Sequence, residues 1–497
     1  MCTTVNDNFN CNVSRPSTGR YNHAMNSPAN QAPDNDILPD YHHLAGKSIH
    51  FVGIGGCGMC GLARLARQYG AICSGSDISN TNTIESLRQE GFDIRLEQTD
   101  KSIPDQVDCI VHSAAVDLEH LELVEASRRG IPILKYAQML GRLMIGQTGI
   151  AIAGTHGKST TTSMLSFLLL QCGFDPSFIV GAKCDQIGGG SRCGNGNIII
   201  TEACEYDRSF HNLNPTHATI LNVEADHLDV YHSLEEIIHA FAVFARQVPI
   251  YGTLLINHEM NCRLEITAGL NCRVQSIGFA LQADWQVDVR NGKTLLKHRG
   301  ESIAEWTNPL PGEHMAYNAA AAAVLANRLG AAWTDIVESL PQFKGLDRRM
   351  QKLGKRVIAG GQVTVVDDYG HHPTEIDTTL RALRRYYCPT RLICVFQPHQ
   401  HSRTRFLMQQ FAASFNEADM VIVPDIYFVR DSEQERHEVN AEDLVNHLRQ
   451  KNVDAMHLHP FERIVQHLDQ ITRDGDLVVT MGAGDIWKVA AHFLNPR

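Results

Sequence analysis

Short apolar segments alternate with longer segments of helical periodicity along most of the chain, from Ser48 onward. Each apolar segment ends in a turn rich in glycine or in polar residues. These segments are SIHFVGIGGCG, DCIVHSAAV, GIAIAGTHGKS, NIIITEACEYD, ATILNVEADH, VTVVDDYGHHP, RLICVFQPHQHS, ADMVIVPDIY and DLVVTMGAGD. Strands that alternate with helices are typical of parallel sheets, where functional residues lie just beyond the carboxyl ends of the strands. The pattern therefore predicts an α/β fold whose chemistry lies in these turns.

Length and composition divide this pattern into three predicted domains. A chain of 497 residues is long for a single domain. We expect one boundary near Gly146, where a helix gives way to a strand, and another near Lys344, where the composition becomes basic. Residues 1–45 are rich in Asn, Ser, Pro and Asp, which predicts a disordered leader. The predicted domains are 46–146, 147–344 and 345–497, and Asn291-Gly292 predicts a hairpin in the second.

Charge and cysteine usage narrow the possible partners. The formal net charge of −11 excludes a broad basic face for nucleic acid or for an anionic membrane. No apolar run approaches the roughly 18 residues of a membrane-spanning helix, and the first residues lack the order of a signal peptide. The 14 cysteines show no zinc-site spacing, and the close pair Cys57 and Cys60 lies in a glycine-rich loop. We therefore expect a cytoplasmic protein with reduced thiols, which binds any phosphate group locally.

The first glycine-rich turn contains Gly53, Gly55, Gly58 and Gly61 between a strand and a helix. Glycine lets a backbone approach a diphosphate closely, and the helix N-terminus supplies unpaired N–H groups. Asp77 follows the next strand and can accept a hydrogen bond from a ribose or a base. A dinucleotide, another nucleotide diphosphate and a purely structural turn all fit this pattern, because GxGxxG alone is weakly specific.

The second glycine-rich turn, Gly154 to Ser159, departs from the generic P-loop GxxxxGK[ST]. Its first glycine stands two residues later than that spacing requires, because Ile152 occupies the expected position. The turn still offers backbone N–H groups, the charge of Lys158 and the hydroxyl of Ser159, which can bind phosphate and Mg²⁺. A GKS sequence between a strand and a helix therefore favours a nucleotide site.

Two acidic turns follow the P-loop. Like charges about 4 Å apart repel by roughly 1 kcal/mol in water and by more inside a protein. Clustered acids at strand ends therefore favour Mg²⁺ coordination over simple solvation, and a histidine can join the ligands. The residues of these turns are Glu202, Glu205, Asp207, Glu224, Asp226, His227 and Asp229.

Histidines and arginines occupy two later strand ends. Pro373 predicts the first turn of a helix with Ile376, Leu380 and Leu383 on its apolar face, which places His371 and His372 at its cap. The next loop forms a cationic group suited to a carboxylate, with His399, His401, Arg403 and Arg405. Arg348 and Arg349 fit either a solvated hinge or a contact with a transferring phosphoryl group.

Six motifs together resemble the Mur ligases over about residues 46–495: GIGGCGMCGLA, AGTHGKSTTT, NVEADHLD, LPGEHMAYNAAAA, DDYGHHPTEI and FQPHQHSRTR. The resemblance is strongest to the branch that joins L-alanine to UDP-N-acetylmuramate with ATP and Mg²⁺. It implies a Rossmann-like N-terminal domain, a P-loop-type central ATPase domain and a Rossmann-like C-terminal domain. It also implies small-molecule substrates, no nucleic-acid or membrane partner, and a monomer or weak homodimer.

The resemblance assigns expected roles to individual positions of this chain. Lys158, His227 and Arg349 are the expected catalytic residues, and the expected metal ligands are Ser159, Glu202 and His227. The ATP site comprises Gly154, Thr155, His156, Gly157, Lys158, Ser159, Thr160, His314 and Asn318. The UDP-sugar site comprises Gly55, Gly56, Gly58, Asp77 and Ser113, and the alanine site comprises Tyr369, His371, His399 and Arg403. Cys204, Gln400 and His401 depart from residues common in the family.

Three other functions compete with this interpretation. A recycling ligase that attaches a tripeptide to the same sugar nucleotide usually carries DDFAHHP, whereas this chain has DDYGHHP and a PHxxSRTR loop. An NAD-dependent oxidoreductase would explain the first glycine loop but neither the P-loop nor the acidic turns. A non-catalytic UDP-sugar sensor would be expected to lose Lys158 or Glu202, and both are present.

Overall fold

The computed structural model describes residues 44–227, 230–429 and 431–495. The predicted leader therefore lies outside the described residues, except for Leu44 and Ala45. Leu44 is fully buried, and its carbonyl accepts a hydrogen bond from the Lys47 N–H. Packed structure thus begins at least two residues before the predicted boundary at residue 46. In the described part of the chain, no helix is both long and apolar enough to cross a membrane.

The first sheet is parallel and has the strand order β3-β2-β1-β4-β5. Its strands are β1 Ser48–Val52, β2 Ile72–Ser76, β3 Asp93–Arg95, β4 Cys109–His112 and β5 Ile133–Lys135. Its helices are α1 Cys57–Gln68, α2 Asn82–Gln89, α3 Leu121–Arg128 and α4 Tyr136–Met144. This order places the turns after β1, β2 and β4 at the same edge, as expected for a Rossmann-like sheet.

The second sheet has ten strands in the order β15-β14-β13-β12-β11-β10-β6-β9-β7-β8. Its strands are β6 Thr148–Ala153, β7 Ser177–Cys184, β8 Gly189–Arg192, β9 Ile198–Ala203, β10 His217–Ile220, β11 Thr253–Asn257, β12 Arg273–Gly278, β13 Trp285–Arg290, β14 Lys293–His298 and β15 Glu301–Thr307. The predicted hairpin is confirmed, since β13 and β14 pair antiparallel around Asn291 and Gly292, both with positive φ.

Helices of the second region bring the P-loop against an alanine-rich neighbour. They are α5 Lys158–Gln171, α6 Leu234–Ala245, α7 Arg263–Thr267, α8 Glu313–Arg328 and α9 Trp333–Ser339. The run Ala319–Ala323 in α8 is fully buried, and α8 packs against α5. Small side chains let two helices approach closely, so α8 supports the helix that begins at the P-loop.

The third sheet has the order β16-β17-β21-β18-β19-β20 and is parallel except for the β16–β17 pair. Its strands are β16 Gln351–Ile358, β17 Gly361–Asp368, β18 Leu392–Phe396, β19 Met420–Val423, β20 Ala455–His457 and β21 Leu477–Met481. Its helices are α10 Pro373–Tyr387, α11 His401–Phe406, α12 Met408–Ala412, α13 Glu433–Arg436, α14 Ala441–Gln450, α15 Phe461–Ile471 and α16 Trp487–Leu494. Each sheet lies within one predicted domain range, and the boundaries themselves stay predictions.

Candidate functional site

The P-loop follows β6 and is shaped by two glycines with positive φ. Gly154 has φ 141° and Gly157 has φ 84°. A Cβ at Gly157 would lie 2.8 Å from Asn318 Oδ1, so any larger residue would both strain the backbone and displace Asn318. The segment after β10 also fixes the loop, because Asn222 Oδ1 accepts a 2.7 Å hydrogen bond from the His156 N–H. Two glycines and the Asn222 side chain therefore hold the turn in a fixed conformation, and phosphate binding at it stays a prediction.

Lys158 begins α5 and forms a buried ion pair with Glu205. Its Nζ lies 2.9 Å from Glu205 Oε2 and also donates to the carbonyls of Gly154 and Thr155. Burial alone would lower the pKa of Lys158, but the Glu205 carboxylate raises it, so the lysine stays charged. Neighbouring Cys204 is a neutral thiol, because burial raises its pKa to about 11. A fixed cation therefore stands at the start of the helix.

Ser159 and Glu202 provide oxygen atoms beside this lysine. Ser159 Oγ donates a 3.0 Å hydrogen bond to Glu202 Oε2, and the other carboxylate oxygen accepts from the Gly181 N–H. His227 has φ 53° and lines the same cavity as both residues. A hydroxyl, a carboxylate and an imidazole facing one cavity are a donor set that fits Mg²⁺.

Arg403 lies against Asp226 rather than exposed to solvent. Its Nε and Nη2 donate to Asp226 Oδ1 at 3.1 and 2.8 Å, and its Nη1 lies 3.3 Å from His399 Nδ1. Burial would raise the pKa of Asp226, but the Arg403 guanidinium holds it well below its usual range. This ion pair joins the second sheet to the loop after β18. It occupies two of the Arg403 N–H groups that were expected to bind the carboxylate of alanine.

Glu375, in the first turn of α10, connects the P-loop to the third sheet. One of its oxygens lies 3.3 Å from His156 Nδ1 and 3.2 Å from Arg349 Nη1, and the other accepts from the His371 N–H. Burial would raise the pKa of Glu375, but protonated His156 and Arg349 hold it well below its usual range. Burial lowers the pKa of His371 to about 3, so this imidazole is neutral.

A second contact between the sheets involves His156, Glu224 and His372. His156 Nε2 and His372 Nδ1 lie 3.6 and 3.7 Å from Glu224 Oε2. Burial would lower the pKa of His156, but Glu375 and Glu224 raise it to about 9, so its imidazole is protonated at neutral pH. His372 caps α10 and Thr374 Oγ1 donates to Glu224, so the helix predicted from Pro373 starts directly at this junction.

A cavity of about 840 Å³ lies between the second and third sheets. The P-loop, the acidic turns and the loops after β17 and β18 all contribute to its lining. The predicted residues on it are Thr155, His156, Gly157, Lys158, Ser159, Glu202, His227, Arg349, Tyr369, His371, His399 and Arg403. Tyr369 lies beneath both neighbouring arginines, with the guanidinium carbons of Arg348 and Arg349 5.0 and 5.1 Å from its ring centroid.

An adjoining pocket of about 330 Å³ contains His156, Gly157, Thr160, His314 and Asn318. Burial lowers the pKa of His314 to about 4, and its buried Nδ1 has no hydrogen-bond partner in the described residues. An unpartnered buried nitrogen is unfavourable unless a ligand supplies the partner. The pocket continues from the phosphate-binding turn, so it has the position and the polarity for a nucleoside.

The predicted UDP-sugar residues gather at the carboxyl edge of the first sheet. Gly55 N–H donates a 2.9 Å hydrogen bond to Asp77 Oδ2, and Gly56 caps α1. A Cβ at Gly58 would lie 3.0 Å from the Tyr136 ring, and one at Gly53 would lie 3.3 Å from the Ser113 hydroxyl. Close packing therefore accounts for several of these glycines, and the UDP-sugar assignment stays a prediction.

Several residues that the sequence grouped together are separated by the fold. His401 and Arg405 face away from the cavity, since they contact Asp431 and Glu438; the expectation that the whole PHQHSRTR loop forms one carboxylate site was therefore wrong. Asp207 pairs with Lys135, 2.6 Å away at the surface, because residues 207 and 208 adopt a left-handed turn. Asp229 lies outside the described residues.

Glu375 is the site residue that sequence reasoning missed. Its motif was recognised, but no role was given to it. The signal was present, because an acid three residues after the cap His372 forms a capping box, which fixes its carboxylate at the helix start. Glu205 and Asp226 were expected to surround Mg²⁺ and instead pair with Lys158 and Arg403.

Comparisons with known proteins agree with this geometry. The chain matches three family descriptions in sequence order. They are "Mur ligase family, catalytic domain" over residues 48–148, "Mur ligase middle domain" over 152–326 and "Mur ligase, glutamate ligase domain" over 348–484. The three matches fall on the first, second and third sheets.

Individual relatives cover nearly the whole chain. A UDP-N-acetylmuramate–L-alanine ligase of Caldanaerobacter subterraneus subsp. tengcongensis is 39% identical over 90% of this chain and 97% of that protein. The crystal structure of the UDP-N-acetylmuramate–alanine ligase MurC of Thermotoga maritima is similar, with a TM-score of 0.73 and 24% identity, over 90% of this chain and 98% of that one. A murein peptide ligase of Psychrobacter arcticus has a TM-score of 0.66 and 23% identity over the same shares.

Proposed function

The chain belongs to the Mur ligase family, and on that premise we propose that it joins L-alanine to UDP-N-acetylmuramate with ATP. The relatives that share more than a third of its residues bear that activity in their names. One structural observation carries the proposal: a charged P-loop and a histidine–arginine pocket face each other across a single cavity. The cavity can therefore activate a carboxylate at one wall and bind an amino acid at the other.

A carboxylate needs activation before an amine can attack it, because oxide is a very poor leaving group. Transfer of the γ-phosphoryl group of ATP to the lactyl carboxylate gives an acyl phosphate and ADP. The neutral alanine amine then attacks the acyl carbon, and inorganic phosphate leaves from the tetrahedral intermediate. Lys158 stabilises the charge on the transferring phosphoryl group, and Arg349, just before β16, lines the same cavity. No side chain needs to act as a covalent nucleophile.

Ser159, Glu202 and His227 would hold Mg²⁺. When bound, the ion neutralises phosphate charge and orients the phosphoryl group. The protein prepares this donor set in two ways. Glu202 is fixed by Ser159 and Gly181, and His227 packs edge-on against Tyr206, with ring centroids 5.1 Å apart.

Tyr369, His371, His399 and Arg403 would form the alanine pocket. The His371 and His399 ring centroids lie 6.0 Å apart, and Arg403 reaches His399. Since Arg403 already pairs with Asp226, binding of a carboxylate requires it to share its donors or to turn its Nη1 toward the ligand. The neutral imidazole of His371 can accept a hydrogen bond from the alanine amine.

The deciding experiment measures ADP release by the purified full-length protein. We expect turnover only when UDP-N-acetylmuramate, L-alanine, ATP and Mg²⁺ are all present. A parallel reaction replaces L-alanine with the stem tripeptide. Turnover with the tripeptide and none with alanine would assign the chain to the recycling ligases. Reduction of NAD in place of ADP release would contradict ligase chemistry altogether.

A further inference from the structure

We propose that His156, Glu224 and His372 form a binding site for a transition-metal ion of the Zn²⁺ class. The site lies between the P-loop turn and the N-terminus of α10. It is separate from the ligands assigned to Mg²⁺, which are Ser159, Glu202 and His227. One nitrogen from each histidine and one carboxylate oxygen all lie within 4.8 Å of one another.

The donor distances suit a small tetrahedral ion. Zn²⁺ binds nitrogen and oxygen at roughly 2.0–2.2 Å, so two ligand atoms of a tetrahedral site lie about 3.4 Å apart. The distances from Glu224 Oε2 to His156 Nε2 and His372 Nδ1 are 3.6 and 3.7 Å. These two edges would need to contract by a few tenths of an ångström, and the edge between the two imidazole nitrogens, which lies within 4.8 Å, would need to close to about 3.4 Å.

Both imidazoles are oriented as metal ligands usually are. A ligating histidine typically donates its other N–H to a carboxylate or a backbone carbonyl, which fixes the ring and its tautomer. His156 Nδ1 lies 3.3 Å from Glu375 Oε1, and His372 Nε2 lies 3.3 Å from the Ala225 carbonyl. The remaining nitrogen of each ring therefore faces Glu224. His372 Nδ1 also accepts a 3.3 Å hydrogen bond from the Thr374 N–H, and a metal ion would replace that contact.

The nitrogen of His156 that faces the site lies 3.6 Å from Glu224 Oε2, so among the described residues it has an ion-pair contact and no hydrogen bond. His156 Nε2 is buried and has no hydrogen-bond partner within the described ranges. In the metal-free protein a proton on His156 faces Glu224, so a metal ion and a proton compete for this nitrogen. Two imidazoles and one carboxylate favour Zn²⁺ or Co²⁺ over Mg²⁺, which prefers oxygen ligands.

Three protein ligands leave one coordination position open. An ion there would link the turn after β6 and the end of β10 to the cap of α10, and so connect the second and third sheets. An ion that binds only the folded state raises the free energy of unfolding by RT ln(1 + [L]/Kd), so the unfolding temperature rises with the logarithm of the ion concentration. Metal binding at this site should therefore stabilise the arrangement of the two sheets described here.

The test uses chelator-treated full-length protein without substrates, so its outcome does not depend on the proposed ligase activity. Zn²⁺ is titrated by calorimetry, and Co²⁺ is followed by its visible absorption. We expect wild type to bind one ion more than His372→Gln or Glu224→Gln, or to bind it at least tenfold more tightly. His239→Gln, an exposed histidine on α6, is the matched control and should equal wild type.

Two further measurements separate this site from other ligands. His227→Gln removes an expected Mg²⁺ ligand and should retain the ion. The Co²⁺ spectrum should lack the intense near-ultraviolet bands of thiolate ligands, which would instead indicate a site at Cys57 and Cys60. Equal binding by wild type, His372→Gln and Glu224→Gln would overturn the proposal, as would a wild-type spectrum without imidazole-type Co²⁺ bands.

Discussion

The turns after β1 and β6 are both glycine-rich and both lead from a parallel strand into a helix, yet their side chains differ. In the first, residues 53–58 contain no charged group, and Gly55 N–H is bound by the Asp77 carboxylate. In the second, Lys158 and Ser159 stand at the helix start, opposite Glu205 and Glu202. Glycine spacing thus indicates only that other groups can approach the backbone of a turn closely. The charged side chains around the turn indicate which of the two can take part in phosphoryl transfer.

The largest expected effect comes from removing the cation of the second turn. Lys158→Met should lower turnover by at least about 100-fold, because a preorganised charge at the transferring phosphoryl group is lost. Affinity for UDP-N-acetylmuramate should change little, because that substrate is expected at the first turn. ADP release measures the first quantity and calorimetry the second. Equal loss of both would contradict the division of labour between the turns.

A second variant separates charge from folding. Lys158→Met leaves Glu205 buried without its cation, which can cost about 3–5 kcal/mol of stability. The double variant Lys158→Met/Glu205→Gln removes the stranded charge and should recover most of the unfolding temperature, but none of the turnover. Lys293→Met, at the exposed start of β14, serves as the control. Recovery of turnover in the double variant would show that Lys158 acts only through stability.

The next effect comes from the backbone of the second turn. Gly157→Ala should destabilise the protein by about 2–4 kcal/mol and weaken ATP binding, because a left-handed alanine is strained and its Cβ meets Asn318. Gly188→Ala is the matched control, since Gly188 has φ 83° and nothing within 4 Å of an added Cβ. Unfolding temperature and the KM for ATP are measured for both. If Gly188→Ala raised the KM equally, the loss would reflect backbone strain and not the phosphate turn.

The first turn should respond in the opposite pattern. A Cβ at Gly55 would lie 2.9 Å from Asp77 Oδ2 and 3.0 Å from Ile84 Cδ1. Gly55→Ala should therefore cost about 1–3 kcal/mol and lower affinity for UDP-N-acetylmuramate, while the KM for ATP stays near that of wild type. Calorimetry measures the affinity for UDP-N-acetylmuramate, and steady-state kinetics measure the KM for ATP. A change confined to the KM for ATP would exchange the roles assigned to the turns.

The two turns also show which features of the site can be predicted from the sequence. The strands, the phosphate turn and the helix starting at Pro373 followed from local patterns, because each depends on neighbouring residues. The partners of the charged groups did not follow, since Arg403 and Asp226 are 177 residues apart. Likewise, His401 and Arg403 are only two residues apart in the first turn of α11. They nevertheless contact different aspartates, Asp431 and Asp226 respectively. Such pairings depend on tertiary contacts that periodicity does not encode.

The smallest expected effect concerns Asp77. This acid is the charged residue that contacts the first turn, whereas Lys158 is the cation at the second. Its two oxygens accept from the N–H groups of Gly55 and Ser79 at 2.9 and 3.1 Å. Asp77→Asn keeps one acceptor oxygen and loses the other, so we expect a cost of about 1 kcal/mol and up to about a fivefold weaker UDP-N-acetylmuramate affinity. Calorimetry compares it with Asp93→Asn on β3, which is exposed. Tighter binding by Asp77→Asn would instead mean that the carboxylate repels the diphosphate and does not orient the turn.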